Sequence, residues 1–240
     1  MKKGLSLSKR LSAIYEFCVT AGEDAPYVLC DVGCDHAHVP IRLLKDNVIK
    51  KALCMDVIPG PLQKAEENLS LYGCTEKAEL ILSDGLRNYP GGADVLLISG
   101  MGGMMIAKIL REEAEKAKSF RGMILQPQSE FTAARRAVYE TGFVIRDECM
   151  IEEDGKFYPV LYATPSGAEE PRKNLLSDEE LEYGPVLLRK KNAVLRKYLE
   201  NGMQKIDRIL AGFPEDGNVR EKETLLGTRE QMKKALALIS

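Results

Sequence analysis

Val28-Leu-Cys-Asp-Val-Gly-Cys-Asp-His-Ala-His-Val-Pro40 is a short apolar run that ends on an acid and a glycine, then enters a helical segment with a proline near its start. An apolar run of this length, bounded by turn residues, reads as a buried strand followed by a tight turn and a helix. Gly33 lets backbone pass close to a ligand, and Asp31 puts a carboxylate where it can meet a cationic or hydroxyl-bearing group. Alone, the pattern is common to many α/β proteins. Its meaning depends on what the chain does at its other strand ends.

Working outward, Ser6 to Ala21 forms an amphipathic opening helix through Leu7, Leu11, Ile14, Tyr15 and Cys18, closed by Gly22. Strands are predicted at Tyr27–Val32, Lys51–Val57, Ala78–Leu82, Asp94–Ser99, Gly122–Gln126, Phe143–Ile151 and Phe157–Thr164. Helical segments near Pro40–Asn47, Pro61–Tyr72, Met104–Lys118 and Glu130–Thr141 separate the earlier ones. Such alternation gives a mostly parallel sheet with both faces covered. The last two strands flank Glu152-Glu-Asp-Gly-Lys156, whose Asp-Gly turn makes them an antiparallel hairpin. A mostly parallel, seven-stranded Rossmann-like sheet ending in a hairpin is the α/β arrangement of class I methyltransferases. The sheet of dinucleotide dehydrogenases is parallel throughout.

The other strand ends carry the same kind of chemistry. Leu53-Cys-Met-Asp56 ends the second strand on an acid a little over twenty residues past Gly33, the position that meets ribose hydroxyls in nucleotide-binding sheets. The plainer role for Asp56 is to cap the following loop. Leu80-Ile-Leu-Ser-Asp-Gly85 ends the third strand on Asp84, able to accept an adenine amine, with Gly85 keeping the turn tight. Leu97-Ile-Ser-Gly-Met-Gly-Gly-Met104 leaves glycine backbone open around Met101, where a methyl acceptor would approach; a flexible strand-to-helix turn is the alternative. Ile124-Leu-Gln-Pro-Gln128 ends the next strand with two amides, either of which could bond a base edge or shape the turn.

With 240 residues, 45% of them hydrophobic, the chain can bury a full core, as one large domain or as a domain with an appendage. Thirty-four basic against 36 acidic residues leave a net charge of −2, so any nucleic-acid contact must rest on a local patch. No run approaches membrane-spanning length, no secretory signal is expected, and a cytoplasmic protein with no membrane partner follows. Six scattered cysteines suit free thiols in a reducing compartment. Cys30, Cys34, His36 and His38 lie close together, but Cys30 falls inside the strand, so no metal site is expected.

Asp31-Val-Gly-Cys-Asp-His-Ala37, Asp56-Val-Ile-Pro-Gly-Pro61, Ser83-Asp-Gly-Leu86, Ser99-Gly-Met-Gly-Gly103, Leu125-Gln-Pro127 and Glu153-Asp-Gly-Lys156 together resemble the motif series of the bacterial tRNA adenine-22 N1-methyltransferases. Order and spacing agree from about Leu5 to about Thr164. The resemblance implies S-adenosylmethionine as methyl donor, N1 of adenine 22 in tRNA as acceptor, and a helical coiled-coil appendage at the C-terminus. It assigns the donor to Asp31, Gly33, Asp35, His36, Asp56, Val57, Asp84, Gly85, Gly100 and Met101. Asp35, and after it His36, are the candidates to stabilise the cationic ring that N1 methylation produces; Asp35 could equally hold the donor's ammonium group. Ser-Gly-Met-Gly-Gly lacks the Asn/Asp-Pro-Pro-aromatic motif of exocyclic-amine methyltransferases, so any stacking on the base must come from elsewhere. A base methylated on its Watson–Crick edge is expected to leave its stack.

The appendage has its own signals. Past a polar linker, Pro165–Lys173, Ser177-Asp-Glu-Glu180 is a capping box. Leu187, Leu195, Tyr198, Leu199, Ile206, Ile209 and Leu210 then recur at helical spacing, which predicts one long helix. Gly212-Phe-Pro-Glu-Asp-Gly217 breaks it before a shorter helix folds back. The expected domains are 1–165, binding the donor, and 172–240, helical. Arg189, Lys190, Lys191, Arg196, Lys197, Lys205 and Arg208 give this part a basic excess, and Lys2, Lys3, Lys9 and Arg10 form a second cluster. Arg189, Lys190, Arg196, Lys197, Lys9 and Arg10 are the expected tRNA contacts, with a solvated helix face as the plainer reading. The sequence sets no oligomeric state, and a monomer suffices. A nicotinamide-dependent oxidoreductase and a non-catalytic RNA-binding protein with a vestigial pocket are the rival readings.

Overall fold

A computed structural model describes residues 5–22, 26–167, 176–214 and 218–240. Lys2 and Lys3 lie outside the described residues, as do residues 168–173 of the expected linker and 215–217 of the turn after Pro214. The backbone divides into two compact units, residues 1–175 and 176–240.

The first unit is built on one seven-stranded sheet. Its strands are β1 (Tyr27–Val32), β2 (Ile49–Asp56), β3 (Ala78–Leu82), β4 (Val95–Met101), β5 (Gly122–Pro127), β6 (Phe143–Glu153) and β7 (Lys156–Pro165). They lie in the order β3-β2-β1-β4-β5-β7-β6. Each expected strand is present, within two residues at either end. The first five pair in parallel, and β7 inserts antiparallel between β5 and β6. Order reverses between β1, which leads out to β2, and β4 on its other side, so a crevice opens at their carboxyl ends.

Burial explains why the central strands read as unbroken apolar runs: Leu29, Cys30, Leu96, Leu97, Ile98, Ile124 and Leu125 are fully enclosed. Helices α1 (Lys9–Thr20), α2 (His38–Lys45) and α3 (Pro59–Tyr72) supply the cover for one hydrophobic cluster, through Ile14 and Cys18, Ile41 and Leu44, and Ala65 and Leu69. The Tyr27 hydroxyl donates to the Cys18 carbonyl at 2.7 Å, tying α1 to the start of β1. The helix expected over Met104–Lys118 is two pieces, α4 (Gly103–Glu112) and α5 (Ala114–Ala117), parted where Glu113 leaves helical geometry. Helix α6 (Phe131–Glu140) is fastened to β6 by a fully buried Arg135–Glu148 ion pair at 2.8 Å.

The second unit corrects two expectations: the returning helix, Val219–Leu238, is no shorter than the one before it, Ala193–Ala211, and that one does not run unbroken from the capping box. The single long helix is three: α7 (Asp178–Tyr183), α8 (Pro185–Arg189) and α9 (Ala193–Ala211). Gly184, at a φ of 96°, and Pro185 end the first, since proline has no N–H to continue the ladder. Asn192 restarts the chain by accepting from the Val194 and Leu195 N–H groups. Periodic apolar residues carried across both breaks because the pieces share one small core. The capping box is present: the Ser177 hydroxyl accepts from the Glu180 N–H, and Glu180 accepts from the Ser177 N–H. Helix α10 (Val219–Leu238) returns antiparallel to α9, as Gly202 facing Met232, Asp207 paired with Arg229 at 2.5 Å and Arg196 bonded to the Ile239 carbonyl require.

Candidate active site

The turn after β1 is set by its backbone. The Gly33 and Cys34 N–H groups both donate to the Met55 carbonyl, at 2.8 and 3.1 Å, so the amides of this turn bind β2 and are not presented to an anion. Gly33 has a φ of 76°, which favours glycine, and a Cβ there would stand 2.3 Å from the Met101 methyl carbon, so that side chain would have to move aside. Asp35 and Ala37 follow with φ of 49° and 55°, left-handed conformations that cost energy outside glycine and that cluster at functional sites.

Two hollows flank this turn. One, of about 340 Å³, is walled by Arg10, Asp31, Asp35, His36, His38 and Gln128, with Ser99, Gly100 and Met101 beneath. The other, of about 250 Å³, is walled by Asp56, Val57, Ser83, Asp84, Gly85 and Met105. Gly33 and Met101 belong to both. All ten expected donor residues therefore line one crevice, across the ends of β1 to β4.

Asp31 is the electrostatic centre. It is buried, and its Oδ1 has no hydrogen-bond partner. Burial, then the nearby Asp56 and Asp35 carboxylates, push its pKa up to about 7. An unpartnered carboxylate oxygen inside a cleft is costly unless a ligand completes it. Asp35, by contrast, holds its carboxylate in solvent, 3.4 Å from His36 Nε2. The His36 and His38 rings stack with centroids 5.5 Å apart. Burial and the neighbouring His36 lower the pKa of His38, while Asp35 opposes this, so His38 is neutral at neutral pH. The Cys34 thiol is raised by its hydrogen bond to Cys54 and by burial, and Cys30 turns to the Met55 sulfur at 3.4 Å. Among the described residues no three histidine, cysteine or acidic side chains converge as metal ligands.

On the other side, Asp56 caps the loop, its Oδ1 accepting from the Ile58 N–H at 3.1 Å, and the residue also lines the smaller hollow. Asp84 is exposed, with Arg87 3.8 Å away, and the Ser83 hydroxyl fixes the turn by donating to the Gly85 carbonyl at 2.9 Å.

Arg10, expected among the tRNA contacts, also has partners within the fold. Its guanidinium donates to Gln126 Oε1 at 2.9 Å, lies over the Tyr158 ring at 5.6 Å, and lines the larger hollow. Gln126 Oε1 also accepts from the Gly100 N–H at 3.2 Å, so α1 holds the glycine turn through a buried amide. Arg196 is likewise engaged, donating to the Ile239 carbonyl at the end of α10. Lys9, Arg189, Lys190 and Lys197 are exposed. Sequence reading weighed His38 only as a metal ligand and did not find the inward turn of Arg10. His38 had a signal in its i+2 spacing from His36; Arg10 had none, because its partners are more than a hundred residues away.

Strand order, the antiparallel β7 and acids at three consecutive strand ends define a class I methyltransferase. Over 194 residues the chain is 31% identical to the tRNA (adenine(22)-N(1))-methyltransferase of Bacillus subtilis, covering 80% of this chain and 79% of the relative. The crystal structure of the B. subtilis M1A22 tRNA methyltransferase superposes with a TM-score of 0.81 at 28% identity, over 97% of this chain and 99% of that one. A Streptococcus pneumoniae protein crystallised in complex with S-adenosyl-L-methionine superposes with a TM-score of 0.82 at 30% identity, over 96% and 100%. The tRNA (adenine(22)-N(1))-methyltransferase family model matches residues 29–236, and the chain belongs to that family. These matches favour neither the oxidoreductase nor the non-catalytic reading. No helix among the described residues is long and apolar enough to cross a membrane.

Proposed function

We propose that the two joined hollows are the working site of this methyltransferase, with the donor lying across Gly33 and the acceptor base entering the larger hollow. Family membership gives the reaction: S-adenosylmethionine-dependent methyl transfer to N1 of adenine 22 in tRNA. The observation that carries the assignment is Asp31, whose buried and unpartnered oxygen fits an ammonium group such as the donor's. Asp56 and Val57 would meet the ribose, with Asp84 and Gly85 beside the adenine of the donor. Residues 1–165 would bind the donor and 172–240 would form the helical domain.

The donor, when bound, supplies an electrophilic methyl on a positively charged sulfur. The chain's task is alignment, because N1 of neutral adenine already offers an in-plane lone pair. N1 takes the methyl, the carbon–sulfur bond breaks toward sulfur, and the ring becomes cationic. Asp35 stands where its carboxylate can stabilise that charge and accept a proton from the exocyclic amine afterwards. A neutral His38 adds no repulsion to the cation and, stacked on His36, offers the flat surface that the Ser-Gly-Met-Gly-Gly turn lacks. Gly100, without a side chain, keeps the approach open. Lys9, Arg189, Lys190 and Lys197 would meet tRNA phosphates in the cytoplasm. The test is to incubate an unmodified tRNA transcript with labelled donor and map the product. Label at N1 of adenine 22, lost when that base is changed, is expected. Label elsewhere, or none, would sink the reading.

A further inference from the structure

Two glutamines end β5, and the structure separates their roles. Gln126 is fully buried; its Oε1 accepts from both Arg10 and the Gly100 N–H, and its Nε2 donates to the Pro127 carbonyl at 2.9 Å. Gln126 therefore serves the turn. Gln128 is exposed, lines the larger hollow beside His36, His38 and Asp35, and has no side-chain hydrogen bond among the described residues. Its backbone N–H donates to the Met101 carbonyl at 2.8 Å, which pins it to the glycine turn. Its Nε2 stands 3.7 Å from the Cβ position that Gly100 leaves empty. A fixed backbone thus presents one amide donor and one amide acceptor to the wall of the acceptor hollow.

Resting on the reading of that hollow as the acceptor site, we propose that Gln128 recognises the target adenine by its Hoogsteen edge, accepting from N6 and donating to N7. An amide side chain matches that pair of atoms bidentately. On the Watson–Crick edge the same amide would hydrogen-bond N1 and occupy the lone pair that must attack the methyl. Gripping N6 and N7 holds the base while leaving N1 open to the donor. Guanine offers two acceptors on that edge, O6 and N7, so it cannot satisfy the amide carbonyl.

The test uses full tRNA carrying adenine or 7-deazaadenine at position 22, with kcat/KM measured for the wild type, Gln128→Ala and Gln128→Glu. Loss of N7 is expected to slow the wild type about 10-fold. Gln128→Ala should be about 10- to 100-fold slower on adenine and indifferent to the N7 change. Gln128→Glu keeps the acceptor for N6 and lacks the donor for N7, so it too should be indifferent. Calorimetric donor affinity should be the same in all three proteins. A wild type equally fast on 7-deazaadenine, or a Gln128→Ala enzyme with the wild-type N7 penalty, would overturn the proposal. Failure of the wild type to methylate unmodified adenine 22 would instead bring down the site reading, and the proposal with it.

Discussion

The two hollows that meet at Gly33 are walled by different kinds of residue. The smaller one combines strand-end acids with apolar side chains, of which Val57 is 58% and Met105 47% exposed. Other apolar side chains of this chain are as exposed, so it is the place of these two beside the acids that suits a nucleoside. The larger one is lined by a guanidinium, two carboxylates, two imidazoles and an amide. On the reading proposed above, the first side would hold the donor and the second, with its polar groups, would choose and orient the base. Gly33 and Met101 form the partition, and Asp31 sits on the polar side of it.

The largest expected effect breaks the distinction altogether. Gly33→Ala strains the backbone at a φ of 76° and points a methyl group at the end of the Met101 side chain, which must swing aside into the hollows it separates. Donor affinity should fall at least about 100-fold, or ~2.7 kcal/mol, by calorimetry. Asp31→Asn comes next and sharpens the comparison, since it removes the charge that links the two sides. A drop of about 30-fold in donor affinity is expected, as for a charged partner lost inside a cleft. Its pH behaviour separates binding from folding. The folded pKa of Asp31, about 7, lies above its unfolded value of 3.8, so the folded state holds the proton more tightly. The contribution of Asp31 to stability is therefore full below pH 4, declines as pH rises to about 7 and then levels. The asparagine variant should lack that decline and melt at a higher temperature at pH 8. Wild-type donor affinity should rise between pH 6 and pH 8 as Asp31 ionises, and the variant's should not. Parallel profiles for the two proteins would remove Asp31 from the donor site.

The donor side was legible in the sequence because each of its residues follows its own strand. Asp31, Asp56 and Asp84 are reached by reading to the end of an apolar run, and the sheet order brings those ends together without further information. The acceptor side is assembled from α1, the β1 turn and the end of β5, so its pairings span the chain. Arg10 meets Gln126 across 116 positions, which no local pattern encodes. In the helical unit the apolar period was right and the continuity wrong, although Gly184-Pro185 and Asn192 were present as stop and start signals. Charge counting gave Arg10 and Arg196 as phosphate contacts and could not show that each also has an amide or carbonyl partner within the chain.

Arg10→Ala tests whether the polar side can be damaged alone. Its removal takes one of two donors from Gln126 Oε1 and leaves the Gly100 N–H as the other, so the turn beneath the acceptor loosens while Asp31 and Asp56 keep their places. As a positioning residue, Arg10 should cost about 10-fold in kcat with little change in donor affinity, and Arg10→Lys should restore part of the loss. Equal losses in kcat and donor binding would mean that the two hollows are not separable.

The smallest effect lies outside both hollows. Lys197→Glu on α9 reverses an exposed charge in a unit with its own core, so donor affinity should stay at the wild-type value. The tRNA KM should rise about 3-fold, and the salt dependence of tRNA binding should flatten by about one charge. Arg196→Ala should differ in kind, because its guanidinium closes the end of α10 on the Ile239 carbonyl and its loss lowers the melting temperature as well. A tRNA affinity that ignores Lys197 while responding to Lys9→Glu would place the phosphate contacts wholly in the unit that holds the two hollows.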